Sequence, residues 1–373
     1  MTEDTMSKTD YSLVDVVITW VDGSDPIWLE EKNGYLRDNA CFYQNAVSGN
    51  RFHDWGTLPY LFRGIEKFMP WVNNVYFVTW GHLPPWLNTE YEKLHIVRHE
   101  EFIPEKYRPT FNSNAIELNF HRISGLSERF VSFNDDFFVV GPTKKEDFFQ
   151  EGLPKTEAIV YPVQCRRGDI CCTLARNTQV LNTHFSSRDM KKHWKKWLYP
   201  FNPRTALRNS FFIRNYSWIV GVLEPHIPIA LLKSTIAELW EKEYAVMDET
   251  CSNRFRGRCD VNIWLAREWQ MLQGKFVPRN RHFGKYTEIP GLWGKCHQLL
   301  QNPGECRLLC INDCGSGRDE ADLELMWAEI RNDFEKLLPE KSGFERQLNL
   351  HDLLKEKNCR VKEKKRSSAN LDV

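Results

Sequence analysis

Short runs of β-branched and aromatic residues in the first 140 positions, each closed by a polar break and spaced by amphipathic stretches, constrain this chain most. Val14 to Trp20 (VDVVITW) reads as a buried strand. Gly23, Ser24, Asp25 and Pro26 then break it, and Pro26 can open a helix. Thr57 to Phe68 carries Leu58, Leu61, Phe62, Ile65 and Phe68 on one helical face. Val75 to Thr79 and Leu94 to Val97 read as further strands, and Ser113 to Ile123 as a helix with Ser113 near its cap. Arg129 to Val140 holds two apolar runs around Asn134, Asp135 and Asp136. Strands alternating with helices imply an α/β fold with a mainly parallel sheet, whose ligands sit at the carboxyl ends of its strands. The loops Asp22 to Asp25 and Asn134 to Asp136 both fall at such ends, so one cleft should hold both.

The second half reads as more helical. Ile229, Leu232, Ile236, Leu239 and Trp240 have the spacing of one helical face, and Val261, Trp264, Leu265, Glu268 and Leu272 that of another. After Gly343 the chain is charged, with few aromatics, as expected of a helix followed by a disordered end. No repeat and no Pro/Gly-rich linker divides the sequence, which favours one composite domain.

Lys plus Arg equals Asp plus Glu, 50 each, so no global basic excess argues for nucleic acid. Two local runs, Lys191 to Lys196 and Lys362 to Arg366, are basic; each is either solvated surface or a contact for anionic lipid or polymer. No stretch has the roughly 18 apolar residues of a membrane span. The polar start MTEDTMSKTD lacks a signal segment, so the protein is expected to stay where it is made, with reduced thiols. Cys306, Cys310 and Cys314, with Cys296 and His297 upstream, hint at zinc, but three-residue gaps are not the usual knuckle.

Adjacent carboxylates such as Asp135 and Asp136 repel unless a cation or basic group lies between them. Their oxygens suit Mg²⁺ or Mn²⁺; the alternative is a turn using local hydrogen bonds. Asp22 and Asp25 suit a ribose or base, or else Ser24 or Asp25 simply caps a helix. His226 lies between Pro225 and Ile227, and an isolated histidine is more often structural than catalytic. Arg254, Arg256 and Arg258 suit phosphate through the guanidinium fork, while Asp260 could pair with one of them in a surface salt bridge. No nucleophile elbow or paired metal-histidine motif appears. Acidic loops with His and Arg fit phosphoryl or glycosyl transfer.

Several of these segments together resemble the Stealth family of sugar-phosphate transferases, which includes bacterial capsular polysaccharide phosphotransferases and the animal GlcNAc-1-phosphotransferase of lysosomal tagging. The blocks are DVVITWVDGSDP (Asp15 to Pro26), the long stretch Arg51 to Val139, EPHIPIALL with SNRFRGRCDVN, and the short CINDC around Asn312 and Asp313. They occur in the family's order across roughly Val14 to Lys336.

The resemblance implies a glycosyltransferase-A-like core with an added helical subdomain. Residues 11–340 would form a composite catalytic domain, with a nucleotide-sugar half at about 11–150 and a helical acceptor and phosphate half at about 151–340. Residues 341–373 would be a charged helical or disordered tail. Carried over by position, Asp135 and Asp136 would serve a Mg²⁺-diphosphate site, with Asn312 and Asp313 as further ligands. Asp22 and Asp25 would line the nucleotide pocket, and Asn114, Glu117, His121 and Arg122 would approach the donor sugar from one helix. His226 matches a family base and Arg256 a phosphate-binding arginine; Arg208 is a weaker match. Asp22 stands where the animal enzymes have Asn, and the chain lacks their long insertions and membrane spans.

The implied activity is transfer of a hexose-1-phosphate from a UDP-sugar to a hydroxyl of a growing capsular polysaccharide or oligosaccharide, releasing UMP. The alternative is a metal-dependent glycosyltransferase that releases UDP. A third reading, from another class, is a non-catalytic polysaccharide-binding protein using its 14 Trp. The expected place is cytoplasmic, peripheral to the inner face of the cell membrane through the basic tail, near capsule export machinery.

Overall fold

The computed structural model describes residues 12–38, 52–164, 170–315 and 318–346. Five strands form the central sheet: β1 (Asp15–Thr19), β2 (Val75–Thr79), β3 (Leu94–Arg98), β4 (Arg129–Asn134) and β8 (Ile229–Leu232), in the order β3-β2-β1-β4-β8. The first four are parallel, and β8 closes one edge antiparallel to β4. The fold is therefore α/β with a mostly parallel sheet.

Both faces of that sheet are covered, which explains why β1 and β2 are near-continuous apolar runs. Val16, Ile18, Val75, Phe77, Val131, Phe133, Ala230 and Leu232 face one core. Val17, Tyr76, Val78, Phe130, Ile229 and Leu231 face the other. The first core also takes in Ile311, Trp327, Phe334 and Phe344, and the second Trp197, Trp240 and Trp269, so each layer draws on both halves of the sequence.

A second sheet of three strands, β5 (Phe137–Val139), β11 (Leu308–Asp313) and β10 (Gly284–Ile289), continues from the end of β4. Here β11 runs antiparallel to β5, with Cys310 opposite Phe137, and parallel to β10. A small third sheet joins β6 (Phe149–Gln150), β7 (Leu153–Thr156) and β9 (Val277–Pro278).

Three expectations need correction. Ile229 to Leu232 was expected to begin a helix but is β8, and the helix starts at Lys233. The run IALL is buried on both faces of an edge strand, and such a run carries no period that distinguishes strand from helix. The helix expected over Ser113 to Ile123 ends at Glu117, followed by a separate 3-10 turn, Phe120–Arg122; its cap is Asn112, whose side chain accepts from the Asn114 N–H. The tail expected from 341 begins folded. Phe344 is buried, and the Glu345 carboxylate takes two hydrogen bonds of 2.8 and 2.9 Å from the Arg63 guanidinium. The run Lys362 to Arg366 lies outside the described residues. Among the described residues, no helix is long and apolar enough to cross a membrane.

Candidate active site

Parallel pairing of β1 with β4 sets Thr19 beside Asn134, so the loops that follow these strands emerge side by side at the carboxyl end of the sheet. In the first loop Asp25 caps the helix Pro26–Asp38: its Oδ1 accepts from the N–H groups of Ile27 (2.8 Å) and Trp28 (2.9 Å). These bonds, that of Trp28 foremost, hold its carboxyl below the usual range. Asp22 Oδ1 accepts from the backbone and hydroxyl of Ser24 at 2.8 and 2.6 Å.

His82, which sequence reasoning missed, ties this loop together. Its Nε2 accepts from the Asp22 N–H at 2.7 Å, so the ring proton sits on Nδ1, 3.4 Å from Asp25 Oδ2. Burial keeps this imidazole below its ordinary pKa despite the two aspartates.

The second loop carries Asp135 and Asp136. Asp135 is open to water, yet enough protein surrounds it to push its carboxyl up to about 8, by desolvation and then by the charges of Asp136 and Asp54. It lies at the carboxyl end of the sheet, where the sequence placed the cleft. Asp54, also missed, feels Asp22 as well and is raised by burial first. Four carboxylates from two loops and the chain before the helix Leu58–Phe68 therefore crowd together.

Because β8 runs against β4, with Ser132 opposite Ile229, the residues just before β8 return to this same end. That reversal brings in His226. Its backbone has φ +47°, a left-handed conformation unusual for a side-chain-bearing residue. Its ring is held edge-on by Phe137 and Tyr286, each with centroids 5.5 Å away. Cys310, on β11, sits between the two functional groups: Sγ lies 3.3 Å from His226 Nδ1 and 3.5 Å from Asp136 Oδ2. Burial, then Asp136, pushes the thiol well above its usual pKa, so it is a protonated S–H.

Arg256 approaches from the loop 253–260. Asp260 is fully buried and organises that loop, accepting from Gly257 N–H (2.8 Å), Asn112 Nδ2 (2.8 Å) and Asn253 Nδ2 (2.6 Å). It is not the surface salt-bridge partner that the sequence left open. Arg256 donates to the Ser113 hydroxyl and feels Glu117, Asp260 and Asp136. Glu117 is buried and raised to about 7, by desolvation first, with Arg256 opposing and Asp136 adding to the shift.

The structure thus groups Asp22, Asp25, Asp135, Asp136, Glu117, His226 and Arg256. Asn114 is buried beside them, and its side chain opposes the burial-driven rise of the Asp260 carboxyl. Asn312 donates to the Tyr286 hydroxyl at 3.2 Å, and Asp313 is engaged by Trp55 Nε1 (2.9 Å) and Gly315 N–H (2.8 Å). His121 and Arg122 turn elsewhere. The Arg122 guanidinium lies over the Trp240 ring at 5.0 Å and bonds Asn119, while desolvation lowers His121 to about 4. Arg208 lies over Tyr161 at 5.7 Å, on the helix Pro203–Asn215.

Among the described residues, one grouping of metal-ligand atoms is found: Asp136, His226 and Cys310, within 4.8 Å of one another. A neutral thiol and an imidazole suit a hard cation poorly. The carboxylates fit better, since Asp136 Oδ1 is buried with no hydrogen-bond partner and Asp135 is beside it. Among the described residues no other cysteine joins that grouping, and His297 is engaged by Asp333 and Glu329.

The chain matches the family models "Stealth protein CR1, conserved region 1" over residues 14–40 and "Stealth protein CR2, conserved region 2" over residues 51–156. It is 38% identical over 340 residues to the capsular polysaccharide phosphotransferase WcwK of Streptococcus pneumoniae, covering 89% of this chain and 99% of that one. It is also 38% identical over 336 residues to the receptor polysaccharide phosphotransferase WefC of Streptococcus oralis, with the same coverage. An exopolysaccharide phosphotransferase of Lactiplantibacillus plantarum is 36% identical over 342 residues, 89% of this chain and 96% of that one. Among solved structures, the galactosyltransferase LgtC in complex with donor and acceptor sugar analogs aligns over 85% of this chain and 95% of its own. Its identity is 8% and its TM-score 0.35.

Proposed function

The chain belongs to the Stealth family of polysaccharide phosphotransferases, and from that premise we propose that it transfers a hexose-1-phosphate from a UDP-sugar to a hydroxyl of a capsular or exopolysaccharide chain, releasing UMP. The observation that carries this reading is the meeting of a histidine, a half-buried arginine and paired aspartates at the carboxyl end of the sheet.

Asp22 and Asp25 lie where the nucleotide of the donor would enter, with His82 fixing their loop. Asp135 and Asp136 would hold a divalent cation, Mg²⁺ or Mn²⁺, which when bound supplies positive charge to the diphosphate. Arg256, aimed by Asp260 and Ser113, neutralises charge on the phosphoryl oxygens. If the Cys310 S–H turns to Asp136, the His226 Nδ1–H points at the sulfur and Nε2 keeps its lone pair. His226 Nε2 then takes the proton of the acceptor hydroxyl, whose oxygen forms a bond to the sugar-bearing phosphorus. The bond from that phosphorus to the bridging oxygen of UMP breaks, and a phosphodiester remains.

Two residues carried over by position, His121 and Arg122, take no part in this reading because their contacts run to Trp240 and Asn119. Chromatography of the released nucleotide together with ³¹P NMR of the polymer tests the proposal. UMP with one phosphate per transferred sugar is expected. UDP with a phosphate-free product would establish the glycosyltransferase alternative.

A further inference from the structure

The helix Pro203–Asn215 is turned inside out relative to an ordinary surface helix. Its buried stripe is Thr205, Asn209 and Ile213, at i, i+4 and i+8. Asn209, fully buried, fixes that orientation: its amide nitrogen donates to the carbonyls of Ala158 (2.7 Å) and Trp197 (2.8 Å), and its oxygen accepts from the Val160 N–H (2.9 Å). The opposite stripe is Arg204, Leu207, Phe211 and Arg214, with the apolar pair in the middle and an arginine at each end. Leu207 is 74% and Phe211 54% exposed. The helix turns Leu207 and Phe211 to the outside and holds them there.

Neighbouring segments carry further exposed aromatic residues. The short helices Ser187–Lys192 and Trp194–Trp197 pack against this one, and Trp194 is 52% exposed. Trp218, three residues past the helix, is 64% exposed. Over residues 187–218 the sequence has eight Lys and Arg against one acidic residue, in a chain whose charges balance overall. That one acid, Asp189, is taken up by Ser186 and by Lys192 at 2.8 Å.

We infer that this face, centred on Leu207, Phe211, Trp194 and Trp218 and ringed by lysines and arginines, docks on the surface of an anionic phospholipid bilayer. Aromatic residues alone would also suit a sugar polymer, but an outward leucine between two arginines gains little from a carbohydrate. It gains from acyl chains, while the cations meet lipid phosphates. Tryptophans at the margin match the preference of indole for the membrane interface. His226 stands only eight positions after Trp218, a reach of at most about 29 Å, so docking would keep the cleft close to the bilayer. The inference places membrane contact on the folded domain, independently of the basic tail and of the donor chemistry.

Sedimentation of the full chain with phosphatidylglycerol/phosphatidylcholine vesicles tests it. Retention on these vesicles and not on pure phosphatidylcholine is expected. Leu207→Ser with Phe211→Ser should weaken partitioning by about tenfold or more. Lys191→Glu with Lys195→Glu should lower it by about fivefold per charge removed and erase the lipid preference. Both variants should keep turnover on a water-soluble acceptor within about twofold, since exposed substitutions rarely disturb the fold. Replacing Lys362, Lys364, Lys365 and Arg366 by Gln should leave retention in place. Unchanged retention of the Leu207/Phe211 variant, loss through the tail variant alone, or binding only to immobilised anionic polysaccharide would overturn the inference.

Discussion

The thiol of Cys310 lies 3.3 Å from Nδ1 of His226, on a strand that pairs with the segment following Asp136. One sulfur therefore links the aspartate pair to the imidazole and orients the ring. His226→Ala should lower turnover by about a hundred- to ten-thousandfold, the range of general-base catalysis, with little change in donor affinity. Cys310→Ala should cost less, on the order of tenfold to a hundredfold in kcat, through misplacement of the ring. Cys310→Ser should recover much of that loss. Separate kcat and KM values for the three variants check this; a Cys310→Ala enzyme with normal kcat would remove the positioning role.

Crowding of Asp22, Asp54, Asp135 and Asp136 should make the folded protein sensitive to divalent cations. Adding Mg²⁺ or Mn²⁺ should raise the melting temperature, because a ligand at a hundred times its Kd stabilises the folded state by about 2.7 kcal/mol. Asp135→Asn with Asp136→Asn should melt higher than the parent in EDTA and no longer respond to the metal. Differential scanning fluorimetry gives both numbers without any turnover, and an unaltered metal response in the variant would place the cation elsewhere.

Gly23 leaves no room for a side chain: a Cβ there would lie 2.0 Å from the Phe52 carbonyl oxygen. Gly23→Ala must therefore push the Asp22 to Asp25 loop away from its neighbour, at a cost of about 1–3 kcal/mol in stability. Calorimetry of donor binding should show weaker association, while the acceptor KM stays near normal.

A pH effect on stability should arise far from the cleft, at Asp333. This carboxylate is buried on the helix Glu320–Leu337. Although burial works to raise its pKa, hydrogen bonds from His297 and Gln301 hold it below the ordinary range. Because the folded value is the lower one, the stabilisation is fully present above the unfolded value of about 3.9 and disappears as the pH falls through the folded one. Asp333→Asn should cost about 1–3 kcal/mol at pH 7 and progressively less below pH 4. Urea denaturation at several pH values checks the trend; an equal cost at pH 7 and pH 3 would refute it.

The parallel sheet was legible because strands covered on both faces need unbroken apolar runs, and VDVVITW and VYFVT supply them. Convergence of the two acidic loops was legible too, since it follows from parallel pairing alone. His82, Asp54 and Cys310 were not. Cys310 meets Asp136 across 174 positions of sequence through an antiparallel pairing that leaves no spacing signal. Likewise, a helical spacing through Ile229 and Leu232 concealed the edge strand β8, because four apolar residues fit either period. His121 was placed with Glu117 on the assumption of a continuous helix; the break after Glu117 turns it toward Trp240.

The left-handed backbone at His226 means that this position is occupied at the expense of stability. An L-residue there costs roughly 1–2 kcal/mol that glycine would not, and glycine would fit the same turn without strain. His226→Gly should therefore yield a protein about as robust as the parent, or more so, and catalytically silent. Selection for folding alone would drift toward the glycine, so an imidazole kept at φ +47° is what the proposed reaction would require here.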